Sequence, residues 1–397
     1  MNILLTNISL NSRTGGGTTE RTRQLVRQLT MQGHRCALAL MEGGDRAEEL
    51  RELGVPIYVA PTVTIRFRIP LLRFGKLAEM VREADVVHIL GYWNLLSITT
   101  AWLATRLGRP YVFSAAGEFA VLDRPRLVAR AFHLLLGRRM LRHAARIIAI
   151  TPLEKRQIID RFGFPSERIV VVPNGVAPPP SAASTGTRLP DAPYILFVGR
   201  LIAIKGSDLL LTAFAGIADQ YSDVHLAMAG SDFGMEDKLR QDAVSLGMAD
   251  RITFIGHLAE HDRTAAYDKA LLLAVPSRDE AMSLVALEAG IVGTPVLVTD
   301  RCGFDEIAEI EGGYVVAANV DSLRDGLMAM LDRRHELPDW GERLREHVEK
   351  NYTWQTIVQD LVSCLKAVIH QSRQDGEVMP SASGEDHDFR SRPQGVP

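Results

Sequence analysis

Apolar runs of four to six residues alternate with longer amphipathic stretches along most of the chain. Asn2–Thr6, Cys36–Met41, Val55–Val59, Val86–Leu90, Tyr111–Ser114 and Ile147–Ile150 read as buried strands. Glu20–Gln32, Ile98–Leu107 and Leu127–His143 carry helical spacing between them. Strands that alternate with helices predict a parallel, doubly wound sheet. The pattern breaks at Pro178-Pro-Pro-Ser-Ala-Ala-Ser, whose composition is that of a linker. It then restarts with strands at Tyr194–Val198, Val224–Ala229, Ile252–Phe254, Leu271–Val275 and Pro295–Thr299. A helix at Ser207–Ala218 begins with a serine placed to cap it. The expected organisation is α/β, with two doubly wound domains at 1–177 and 193–353, a linker at 178–192 and a closing helix at 354–370. The polar tail 371–397 offers little to bury and is expected to be disordered. A crevice between two such domains is a natural ligand site.

Charge adds an asymmetry that the net value of −3 conceals. Residues 1–175 hold 25 Lys+Arg against 14 Asp+Glu, and the remainder holds 20 against 34. A basic front half and an acidic back half point to different partners for each. Three scattered cysteines, Cys36, Cys302 and Cys364, show no metal-binding spacing and fit a reducing cytoplasmic compartment. The N-terminus has no signal-peptide pattern, and no apolar run reaches the ~18 residues that span a bilayer. Basic residues interleave with apolar ones at Arg66–Lys76 and Arg124–Arg146. Such stretches suit an anionic membrane surface or a solvated helix face. No motif supports nucleic acid as the partner.

Candidate chemistry concentrates in the second half. Glu280 and Glu288 stand with seven residues between them, the first just after a predicted strand and the second in the following helix. In open α/β sheets ligands bind outside the carboxyl ends of strands, and helix N-terminal amides attract phosphate. One carboxylate placed for a sugar and one for a ribose describe a sugar-nucleotide site. About 80 residues earlier, Val198-Gly199-Arg200-Leu-Ile-Ala-Ile-Lys205-Gly206 links a strand to a helix. Its glycine permits a sharp turn. Its guanidinium and ammonium suit a diphosphate whose charge grows as the bond to sugar breaks. Gly15-Gly16-Gly17, after the first strand, brings amides that can approach a phosphate or sugar. The run is not Gly-x-Gly-x-x-Gly, which counts against a nicotinamide cofactor. His88 lies inside an apolar strand and reads as structural, Glu118 as a solvated loop residue and Cys302 as a packed one. Val172-Pro-Asn-Gly-Val176 reads as a turn and interdomain hinge.

The paired spacings Gly-Arg-Leu-x-x-x-Lys-Gly and Pro-Ser-x-x-Glu-(seven)-Glu-Ala-x-x-x-Gly-x-Pro-Val resemble those of retaining nucleotide-sugar glycosyltransferases with the GT-B fold, family 4. That resemblance implies two Rossmann-like domains facing a central cleft, with a terminal helix crossing back to the first. It implies that Arg200 and Lys205 bind the donor diphosphate, Glu280 the sugar and Glu288 the ribose. Amides of Met282, Ser283 and Leu284 would hold phosphates, Gly199 would shape the loop, and Gly16 and Gly17 would face the donor. No metal or other cofactor is implied. A lipid-linked or oligosaccharide acceptor at the inner membrane surface fits the basic front half. Two features depart from the family pattern: Ala281-Met282-Ser283 stands where Gly-Phe-Gly is frequent, and Ala116-Gly117 where His-Gly is. A sugar-nucleotide 2-epimerase of the same fold and a non-catalytic nucleotide-sugar-binding subunit are the rival readings.

Overall fold

The computed structural model describes residues 1–11, 16–64, 68–70, 74–115, 117–119, 127–179 and 189–378. Gly15, Arg66, Arg73, Ala116, Arg124, Arg126 and most of the Pro178 segment therefore lie outside the described residues.

The first sheet contains β1 (Asn2–Ser9), β2 (Arg35–Glu42), β3 (Ile57–Val59), β6 (Val86–Leu90), β7 (Tyr111–Ser114), β8 (Arg146–Ala149) and β9 (Ile169–Val171). A small antiparallel pair, β4 (Thr62–Thr64) and β5 (Arg68–Pro70), stands apart from it. The second sheet contains β10 (Tyr194–Val198), β11 (His225–Ala229), β12 (Ile252–Gly256), β13 (Leu272–Val275), β14 (Val296–Thr299) and β15 (Gly313–Val316). The orders are β3-β2-β1-β6-β7-β8-β9 and β12-β11-β10-β13-β14-β15. Each sheet thus reverses direction once, between β1 and β6 and between β10 and β13. Helices close both faces, as continuous apolar strands such as Tyr194–Val198 and Leu272–Val275 require.

The chain passes between domains twice, and the two passages are bonded together. Val176 N donates to Tyr352 O at 2.7 Å, and Trp354 N donates to Val176 O at 3.2 Å. From there Trp354, Ile357, Leu361 and Leu365 bury themselves in the first domain's core with Ile3, Leu5 and Leu25.

Several elements differ from their sequence-based expectation. The closing helix runs Trp354–Val378, so its first polar residues past 370 are helical rather than disordered. The Gly16-Gly17 pair is the first turn of helix Gly16–Met31, not a loop before it. Ser207 does not cap its helix: Gly206 holds that position at φ +71°, and the Ser207 hydroxyl is buried without a partner among the described residues. The 127–143 stretch divides into helix Leu127–Phe132, a wider π turn at His133–Gly137 and helix Arg138–His143. Gly137, at the end of the π turn, leaves room for Tyr92, whose hydroxyl a Cβ at 137 would meet at 1.9 Å.

His88 is fully buried on β6, as a structural histidine would be. Burial, together with the nearby Arg21 guanidinium, pushes its pKa down to about 3. The unfolded chain protonates this ring near about 6.5, so it binds the proton that the folded chain refuses. Stability contributed here is complete above that value and falls by about 1.4 kcal/mol per pH unit as pH drops toward 3. Urea titrations at pH 7, 5.5 and 4.5 should show a shallower acid decline for His88→Leu than for the natural chain; identical slopes would contradict the assignment.

Candidate active site

The two motifs meet because their strands are neighbours. β10 and β13 pair in parallel, Ile195 beside Leu272 and Leu196 beside Leu273. The loops leaving their carboxyl ends carry Arg200 and Lys205 on one side and Glu280 on the other. Both open into a cleft of about 670 Å³ between the domains.

Glycines allow these loops to close on each other. A Cβ at Gly206 would stand 2.0 Å from Pro276 O, and one at Gly230 would stand 1.8 Å from Gly199 O. Arg278 then braces the junction. Its guanidinium grips both Asp208 carboxylate oxygens at 2.8 and 2.7 Å and also reaches Ala203 O, while its amide donates to Ile204 O at 2.8 Å. On this frame Lys205 Nζ donates to Glu280 Oε1 at 2.8 Å. Ser277 Oγ donates to Glu280 Oε2 at 2.9 Å, and Glu280 N donates to Arg301 O at 2.9 Å. Both charged side chains are largely shielded, 22% and 14% exposed. Arg200 lines the same cleft but is not in this pair; its guanidinium lies 5.3 Å from the centre of the Phe233 ring.

Glu288 occupies the neighbouring wall. Arg263 binds it in a fork, with Nε 2.8 Å from Oε2 and Nη2 3.0 Å from Oε1, and Tyr267 OH donates to Oε2 at 2.9 Å. Burial raises the Glu288 carboxyl above its ordinary value; Arg263 and Tyr267 oppose that rise, and Glu20 across the cleft adds to it. The helix start between the two glutamates is itself engaged. Ser283 Oγ accepts from Ala286 N at 3.3 Å, and Ser283 N donates to Cys302 O at 3.0 Å. Ser283 is therefore a buried cap, whereas Met282 and Leu284 line the cleft. Cys302 is packed, its sulfur 3.4 Å from Val275 O.

The first domain supplies the facing wall. Gly17 lines it, and a Cβ there would lie 3.4 Å from Leu284 Cδ1. Gly16 is the preceding residue, at the helix start. Gly117, at φ +83°, approaches the loop that carries Glu280 so closely that its Cβ would sit 2.7 Å from the Ala281 methyl. Glu118 is not solvated: its carboxylate accepts from Tyr92 N at 2.5 Å and Trp93 N at 3.3 Å, holding the loop after β6. Beneath the cleft, Arg21 is buried and donates to Pro173 O, Asn174 Oδ1 and Val172 O at 2.7, 3.0 and 2.8 Å. It fixes the segment read as the hinge.

Sequence reasoning missed Arg263, Tyr267, Ser277, Arg278 and Phe233. The four-residue step from Arg263 to Tyr267 places both on one helix face, but nothing in the sequence aims that face at Glu288. Among the described residues no cluster of His, Cys, Asp or Glu could hold a metal ion, and no helix is long and apolar enough to cross a membrane.

Comparison with known proteins extends this picture. Residues 185–347 match the family described as "Glycosyl transferases group 1", and residues 16–175 match the "Glycosyl transferase 4-like domain". A D-inositol 3-phosphate glycosyltransferase of Geodermatophilus obscurus is 34% identical over 317 residues, 72% of this chain and 67% of that protein. The one from Nocardia farcinica is 32% identical over 294 residues, 67% of this chain and 61% of that protein. The chain thus spans about two thirds of these relatives' length. Among solved structures, Anabaena HepE in complex with UDP superposes with a TM-score of 0.75 at 20% identity, over 92% of this chain and 100% of that one. That likeness is one of fold. Two doubly wound sheets facing across a cleft, with the ligand-side loops at the switch points, define the GT-B architecture. The chain belongs to the group 1 glycosyltransferases.

Removing the Arg263 fork leaves a shielded carboxylate without its counter-charge, which raises its pKa further. Arg263→Gln should weaken binding of a nucleoside diphosphate by about tenfold or more, and more at pH 6 than at pH 8. Tyr267→Phe should have a smaller effect in the same direction. Calorimetric titration measures both; unchanged affinity in Arg263→Gln at both pH values would contradict the buttressing role.

Proposed function

We propose that the protein is a retaining glycosyltransferase. It moves a sugar from a UDP- or GDP-sugar to a lipid-linked or polysaccharide acceptor in cell-surface glycan synthesis, working at the cytoplasmic face of the membrane. The observation that carries this reading is the Lys205–Glu280 pair, braced at the switch point beside Arg200 and Glu288. The names of the relatives and the nucleotide held by HepE support a nucleotide-sugar donor.

In this reading the donor pyrophosphate enters between Arg200 and Lys205, the ribose bonds to Glu288 and the sugar bonds to Glu280. Gly199 and the backbone near Met282 and Leu284 line the phosphate path, and Gly17 closes it from the first domain. The bond from the anomeric carbon to the phosphate oxygen breaks while the acceptor oxygen bonds on the same face. The acceptor proton passes to the departing phosphate. Charge grows on that phosphate as the bond lengthens, and fixed cations stabilise it more than they stabilise the ground state. Neutralisation rests on Arg200, Lys205 and the helix start, with no metal required.

The membrane side of the proposal is supported by the basic first half and its exposed Leu127, Leu134 and Leu135. Truncating Arg200 or Lys205 to Ala should lower donor turnover by roughly 100- to 1,000-fold, while EDTA leaves it unchanged. Full turnover in both variants would overturn the assignment of these cations. Flotation with anionic liposomes at low salt should carry the protein upward; absence of association would remove the membrane component.

A further inference from the structure

A second concavity lies at the other end of the first domain. Its volume is about 630 Å³. It is framed by helix Leu95–Arg106, the start of helix Phe74–Glu83 and the 133–143 segment, with Tyr111 at its base. Tyr111 begins β7 and Arg106 ends its helix, so the groove is at the amino edge of the sheet, away from the donor cleft.

The groove is apolar and open. Phe74, Trp102 and Leu135 line it while 57%, 49% and 76% exposed. Leu127, Val128 and Leu134, on the same helical stretch as Leu135, are also exposed, at 82%, 70% and 64%. The cause is local. Tyr92 OH bonds His133 Nδ1 at 2.5 Å and occupies the space that Gly137 leaves. Three consecutive leucines, Leu134, Leu135 and Leu136, point in successive directions around one helical turn, so the core cannot receive all three, and they stay 64%, 76% and 37% exposed. Contiguous exposed apolar surface of this kind marks an interaction site. Its rim is cationic. Arg106 lies 5.8 Å from the Trp102 ring centre, Arg139 and His143 line the mouth, and Arg130, Arg138 and Arg142 are exposed on the same segment. A symmetric second copy would set these guanidinium groups against one another, whereas an anionic lipid satisfies both the apolar floor and the cationic rim.

We propose that this groove receives one hydrocarbon chain of an anionic membrane phospholipid, with its phosphate on Arg106 and Arg139. The inference rests on the membrane-side reading above and adds a specific seat for the lipid. Trp102 reports on it directly, because Trp340 and Trp354 are buried and Trp93 is held at the Glu118 loop.

The test uses vesicles of phosphatidylglycerol or phosphatidylcholine with brominated or plain chains. Brominated phosphatidylglycerol should quench a fluorescence component that Trp102→Phe lacks, and brominated phosphatidylcholine should not. Arg106→Glu with Arg139→Glu should reduce vesicle binding by at least about fivefold per residue changed, and Leu135→Glu should abolish the quenching. Affinity for UDP or GDP, whichever the natural chain binds, and the thermal midpoint should hold in all these variants, which shows that they fold. Flotation without a difference in quenching between the natural chain and Trp102→Phe would overturn the proposal, as would equal quenching by both lipids. A concentration-dependent dimer that hides Trp102 from lipid would overturn it too. Quenching in a protein that binds neither UDP nor GDP would support the groove and sink the donor reading alone.

Discussion

One ammonium and one carboxylate, 75 residues apart in the chain, share a hydrogen bond at 2.8 Å. The cleft chemistry depends on that meeting. It requires β10 and β13 to be neighbours, which only the reversal of strand order provides. It also requires the two loops to approach within backbone contact, which is why glycine stands at 206, where any Cβ would collide with Pro276 O. Such a pair contributes little net stability, because desolvation offsets much of the attraction. What it contributes is placement: the ammonium is held at the strand ends by Glu280, whose own carboxylate and amide are fixed by Ser277 and the Arg301 carbonyl, on a loop junction braced by Arg278.

The same logic governs the other walls. Arg263 and Tyr267 hold Glu288 from a helix that precedes it, so the carboxylate presents fixed acceptor oxygens. Arg21 satisfies the carbonyls of Val172 and Pro173, and the Val176–Tyr352 bond ties the two interdomain passages together. The relation between the domains is thereby set by a few buried polar contacts and by the closing helix. One departure from the family pattern falls on this interdomain boundary: Ala281 packs against Gly117, whose lack of a side chain accommodates the extra methyl.

Much of this architecture was legible in the sequence because parallel strands buried on both faces are continuous apolar runs, and these survive without any tertiary information. The glutamate pair and the basic loop were legible for a related reason: their spacing follows from the length of one loop and one helix turn. What escaped was set by three-dimensional contact. Ser207 looks like a cap until Gly206 is seen to turn left-handed under Pro276. Glu118 looks solvated until the Tyr92 and Trp93 amides are seen to claim it. Helix 354–378 continues past the apolar pattern because its last turns are carried by the packed ones before them. Arg263 and Tyr267 carry ordinary helical spacing, and only the fold gives that spacing a target.

The central claim is that the cleft recognises a nucleoside diphosphate through its phosphates. Calorimetric titration with UDP, GDP and the matching free nucleosides tests it most directly. The account predicts that at least one diphosphate binds about tenfold or more tightly than its nucleoside, with the difference shrinking as salt rises. A diphosphate that binds no better than its nucleoside, or neither diphosphate binding at all, would contradict it.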